Sequence, residues 1–83
     1  IANLDVYPNP SRDIFNVSFT SEEAQDITIK VINVLGEEII RDDRQQFEGN
    51  YNKTIDLTNY IKGIYLLQLK TNSKIENIKL ILQ

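Results

Sequence analysis

The sequence predicts an all-β fold, an immunoglobulin-like antiparallel β-sandwich of about seven short strands. Three observations lead there. Apolar and polar residues alternate over short runs, with Phe15, Val17 and Phe19 in one and Ile27, Ile29 and Val31 in another, which is the period of a half-buried strand. Turn-forming clusters separate most of the runs, among them Pro8-Asn9-Pro10, Asn33-Val34-Leu35-Gly36 and Thr71-Asn72-Ser73. No stretch carries an apolar helical period over a credible length. The Cys pair and core Trp of an antibody domain are both missing.

The strands follow in order. Leu4 to Tyr7 is β-prone and stops at Pro8-Asn9-Pro10, whose two prolines remove two N–H donors, so it reads as an edge strand entering a kinked turn. Ile14 to Phe19 alternates cleanly, with Asn16 and Ser18 on the face opposite Phe15, Val17 and Phe19. Thr20 to Asp26 is polar and acidic and reads as a loop. Ile27 to Val34 is rich in β-branched residues, turns at Asn33 to Gly36, where glycine supplies a positive φ, and returns over Glu37 to Arg41. Arg41 to Asn50 has Phe47 as its one large apolar residue and reads as a ragged edge or a long loop. Tyr51 to Asp56 alternates again, after which Leu57 and Ile61 are expected to pack inward over one turn. Gly63 opens the most apolar run, Ile64 to Leu69, whose near-continuity predicts a central strand covered on both faces. Ile75 to Leu82 follows at hairpin distance.

Composition narrows the function. The chain has 83 residues, enough for one domain of modest stability, and is 41% hydrophobic and 25% charged, close to globular averages. Nine basic against twelve acidic side chains give a net charge of -3, the wrong sign for neutralising phosphates, so nucleic acid is not expected as a partner. No apolar run approaches the roughly 20 residues of a spanning helix, and membrane insertion is not expected. The chain opens on Ile1 without an initiator Met, as a fragment of a larger protein would.

Candidate chemistry is sparse. With no His and no Cys, neither Ser-His-Asp nor Cys-His catalysis can be assembled, and no thiolate metal site exists. The carboxylate pairs Glu22-Glu23, Glu37-Glu38 and Asp42-Asp43 are adjacent, and neighbours on a strand point to opposite faces. Asp42, Asp43 and Glu48 near Gly49 could gather oxygen ligands for calcium, but their spacing fits no ordered calcium loop. Three dispersed glycines make no phosphate cradle. Tyr7, Tyr51, Tyr60 and Tyr65 could form a sugar platform, although strand tyrosines more often pack across strands. An enzyme is not expected, and no cofactor is implied.

Four stretches, read together, resemble one family. Val6-Tyr7-Pro8-Asn9-Pro10-Ser11 with Asp13 and Phe15 looks like the opening motif of the C-terminal sorting domain of the type IX secretion system, of the type A, Por secretion system kind. Ile29 to Ile39, around Asn33-Val34-Leu35-Gly36, is similar to its middle hairpin. Ile55-Asp56-Leu57-Thr58-Asn59-Tyr60-Ile61-Lys62-Gly63-Ile64-Tyr65 carries its Gly-x-Tyr at Gly63 and Tyr65. Lys79-Leu80-Ile81-Leu82-Gln83 resembles its Lys-bearing apolar ending. Ile32 stands where the family usually has Tyr or Phe, and Tyr60 where it usually has Leu.

The resemblance implies a signal and not a catalyst. A single sorting domain over residues 1–83 would end a larger exported protein of a Gram-negative bacterium. It would carry an upstream cargo through the periplasm to an outer-membrane translocon, and a sortase-like protease would remove it as the cargo reaches the surface or the medium. The motif positions it assigns are Tyr7, Pro8, Asn9, Pro10, Gly36, Asp56, Leu57, Gly63, Tyr65, Lys79 and Leu80. An alternative reading is an immunoglobulin-like adhesion or carbohydrate-binding accessory module of a secreted enzyme.

Overall fold

Alternation on a strand sends every second side chain to the core, and the observed strands follow it. A computed structural model describes all residues, Ile1–Gln83. It contains β1 (Ala2–Tyr7), β2 (Ile14–Ile32), β3 (Glu38–Asp56), β4 (Gly63–Lys70) and β5 (Ile75–Leu82), all antiparallel. Phe15, Val17, Phe19, Ile27, Ile29 and Val31 on β2 are all buried. Their polar neighbours lie outside.

The strands form one hydrogen-bonded sheet in the order β1-β2-β4-β5, with β3 on β2. The first half of β2 lies between β1 and the end of β3, through Val6↔Val17 and Phe15↔Ile55. Its second half lies between the start of β3 and β4, through Val31↔Ile40 and Val31↔Leu67. The sheet curls, and one core of 14 buried side chains draws on both halves.

The all-β antiparallel class therefore holds, with five strands in place of seven. Thr20 to Asp26 is not a loop, and of the two readings of Arg41 to Asn50 the edge holds, since β3 pairs with β2 alone. Both stretches stay extended and paired, through Ser21↔Gly49, Gln25↔Phe47 and Ile27↔Arg44, so four expected short strands merge into two long ones. Polar residues can remain in the ladder because they bond across it or to its backbone: Thr20 Oγ1 donates to Asn50 Oδ1 (2.9 Å), Ser21 Oγ to the Glu23 carbonyl (2.7 Å), and the Gln46 amide to Asp26 Oδ1 (2.9 Å). Register shifts between Ser21 and Ile27 absorb the extra residues and bend both strands.

An aromatic cluster braces the bend. Phe19 and Tyr51 stack at 4.6 Å, and Phe47 meets both edge-on at 6.4 and 5.7 Å. The Tyr51 hydroxyl donates to Asp42 Oδ2 at 2.6 Å, and Arg44 both pairs with Asp42 at 3.2 Å and covers the Tyr51 ring. Burial and the Asp42 carboxylate push the Tyr51 phenol above its ordinary range. Burial pushes the Asp42 carboxyl up, but the Tyr51 hydroxyl and Arg44 outweigh it and hold the group below the usual carboxylate value.

Two further expectations are corrected. β4 lies centrally, between β2 and β5, but the core covers one face only: Tyr65, Leu67 and Leu69 are buried, whereas Ile64 is exposed and Leu66 half-buried. Leu57 is fully buried as expected, but Ile61 is 86% exposed. Asp56 Oδ1 accepts from the Thr58 amide (2.9 Å) and hydroxyl (2.5 Å), and the Tyr60 amide bonds the Leu57 carbonyl (3.0 Å). That tight turn carries Leu57 inward and swings Ile61 out.

Candidate functional site

Proline has no N–H to give a sheet, so the chain at Pro8–Pro10 must leave β2, and both prolines follow cis peptide bonds. What the corner offers instead is a side chain. A primary amide carries a donor and an acceptor in one plane, as a peptide group does. Asn9 Nδ2 donates to the Lys79 carbonyl at 2.8 Å, and the Ile81 amide donates to Asn9 Oδ1 at 3.1 Å. The backbone of Ser11 continues the pairing: its amide bonds the Ile81 carbonyl (3.0 Å) and its carbonyl accepts from the Gln83 amide (2.8 Å). Ser11 is itself buried, and its hydroxyl donates to the Ile14 carbonyl at 2.5 Å. The corner is thus a strand partner for the last residues of β5. Outward-facing peptide groups alternate along an antiparallel edge strand, so the same parity leaves Ile75, Asn77 and the Lys79 amide on the open stretch of that edge.

Gly63 opens β4 opposite Leu82 with φ +149°. Nothing lies within 4 Å of where a side chain would begin, so backbone conformation and not crowding selects glycine there. Tyr65 faces Leu80 across the hairpin; both are buried, and the Tyr65 hydroxyl reaches the Ile61 carbonyl at 2.5 Å. Gly36, with φ +83°, closes the β2–β3 turn by donating to the Asn33 carbonyl (3.0 Å), while Asn33 Oδ1 accepts from the Leu35 and Glu37 amides. That compact turn leaves Val34 and Leu35 about four-fifths exposed.

These pieces meet at one end of the sheet. The Leu57 amide donates to the Asp13 carbonyl (2.8 Å) and the Lys62 ammonium to the Arg12 carbonyl, tying the β3–β4 connection to the corner that holds β5. Val34 and Leu35 share a shallow groove of about 190 Å³ with Ile61, Gly63 and Ile64. Of the motif positions, Asn9 and Lys79 touch directly, Gly63, Tyr65 and Leu80 form the adjoining hairpin, Asp56 and Leu57 shape the connection, and Gly36 shapes the facing turn. Pro8 and Pro10 set the corner. Tyr7 stands apart, half-exposed beside Asn16 and Thr54. Sequence reasoning missed Val34, Leu35, Ile61 and Ile64, although two large apolar residues inside a turn were the visible signal.

The other candidates disperse. Asp42 is committed to Tyr51 and Arg44, and Asp43 to Arg41 (2.7 Å) and Thr28 (2.7 Å), so they do not converge on a calcium position with Glu48. Tyr51 and Tyr65 lie in the core, which dismantles a platform of four tyrosines.

Compared with known proteins, residues 5–83 match the family described as secretion system C-terminal sorting domain. No curated protein matches the chain at a significant level.

Proposed function

We propose that this chain, which belongs to the family of type IX secretion system C-terminal sorting domains, directs an upstream cargo from the periplasm of a Gram-negative bacterium across the outer membrane. A sorting domain of this family marks a cargo for secretion or the cell surface. In the finer reading, the outer-membrane translocon recognises the folded domain, and a sortase-like protease then separates it from the cargo. The observation that carries this reading is the convergence of the four family-like stretches, distant in sequence, on one bonded end: Asn9 to Lys79, Asp13 to Leu57, and the Val34–Leu35 turn beside Ile61–Tyr65. A signal must be presented as one surface, and this convergence supports reading that end as the surface.

The test is a fusion of residues 1–83 to a periplasmically exported fluorescent protein in a host with a type IX system. Fluorescence is expected in the medium or on the cell surface, and to depend on a functional translocon. A folded, stable fusion that stays in the periplasm overturns the proposal.

A further inference from the structure

β4 is apolar at every position from Ile64 to Leu67 and again at Leu69. A strand with one wet face ordinarily alternates, yet here Ile64 and Leu66 occupy the uncovered face. Their cross-strand partners extend the strip, with Ile32 opposite Leu66 and Ile81 opposite Ile64. Seven large hydrophobic residues of the molecule are exposed, and four of them, Val34, Leu35, Ile61 and Ile64, line the single groove at this end. Exposed apolar residues scattered singly need no explanation, whereas a cluster of this kind marks a contact surface.

Charge decides what covers it. The chain is acidic overall, yet the residues lining the groove and its extension along Leu66 include Lys62 and Lys79 and no carboxylate. All four ion pairs lie elsewhere, between Lys30, Glu38, Arg41, Asp42, Asp43 and Arg44. Of the two lysines here, Lys62 is held by the Arg12 carbonyl and Lys79 has no side-chain partner. The Glu37 carboxylate at the rim is tied to Asn33 Nδ2 (2.9 Å), and a second copy would set one lysine-bearing apolar strip against another. An anionic membrane would meet a molecule of net charge -3.

We propose that this face docks on a protein that presents apolar side chains around a carboxylate, with the carboxylate meeting Lys79. The inference rests on the sorting reading, which makes that protein a component of the export apparatus. The test uses the fluorescent fusion together with the purified 83-residue chain. Leu35→Ser combined with Ile61→Ser is expected to lower export by about tenfold at an unchanged melting temperature, the scale of losing central contacts. Lys79→Glu should do the same and Lys79→Arg should not. Ile75→Ser, an exposed apolar position at the far end of β5, should export normally.

If the parent fusion is exported and the Leu35/Ile61 double variant matches it, the docking face is overturned while the sorting reading stands. If the parent fusion itself is not exported, the sorting reading falls first. Equal loss in Ile75→Ser overturns the assignment to this end. Two other occupants would also overturn it: a dimer of the purified chain that Leu35→Ser dissolves, or binding to phosphatidylglycerol vesicles that Leu35→Ser abolishes.

Discussion

The side-chain amide of Asn9 stands in for a neighbouring strand to β5, accepting from the Ile81 amide and donating to the Lys79 carbonyl across 70 or more positions of sequence. An unpaired edge invites pairing with other chains. Asn9 and Ser11 close that edge where it matters most, beside the core residues Leu80 and Leu82.

Removing the amide should therefore loosen the end of β5. Asn9→Ala is expected to lower stability by about 1 kcal/mol, or roughly 4–8 °C in a domain of this size. Self-association should rise with it. Thermal melts and sedimentation of the purified chain check both, and a variant that melts with the parent would show the clamp to be inert.

Gly63 makes a different kind of prediction, because its φ of +149° meets open space. Strain and not collision sets the cost, so Gly63→Ala and Gly63→Val should both destabilise by about 1–3 kcal/mol. A D-alanine placed there by chemical synthesis, whose mirror-image preference accepts positive φ, should cost far less. A Val variant much worse than Ala would point to crowding instead.

Adjacent positions on β5 separate folding from recognition. Leu80 is fully buried and Lys79 exposed. Leu80→Ala should cost about 2–5 kcal/mol by opening a cavity, whereas Lys79→Ala should stay within about 0.5 kcal/mol and affect export alone. Denaturant midpoints for the pair, read against secretion of the corresponding fusions, test the separation.

Stability should fall at both extremes of pH. The folded-state value of Asp42 lies below its ordinary 3.8, so its contribution is present above that value and lost as pH falls through the depressed one. Tyr51 is raised above its ordinary 10.0, so its contribution is intact below about pH 10 and lost as pH rises further. Tyr51→Phe should flatten the alkaline limb and weaken the acid limb. Urea titrations from about pH 3 to about pH 11 measure both limbs.

The strand faces of β2, both hairpins and the burial of Leu57 were legible because alternation and turn chemistry are local. The bend was not. Ser21 and Gln25 look like loop residues until Gly49 and Phe47, more than twenty positions away, are placed opposite them. Asn9 between two prolines announced a corner but not its partner, since nothing near Asn9 encodes Lys79. Ile61 departs for a related reason: Leu57 and Ile61 are expected inward together over one turn, and the Asp56–Thr58 bonds impose a turn of another shape. The near-continuous apolar run of β4 predicts cover on two faces, but only Tyr65, Leu67 and Leu69 are covered, because no second layer lies over Ile64 and Leu66.

β2 and β3 each run 19 residues through the bend without leaving the sheet. The near and far halves are thus cut from the same two lengths of backbone, so the loss of one half's ladder is expected to weaken the other. Folding of this domain is therefore expected to be one cooperative step. On that expectation a partner that touches the Asn9–Lys79 end would also sample, at no added contact, whether Phe19, Phe47 and Tyr51 have come together at the bend.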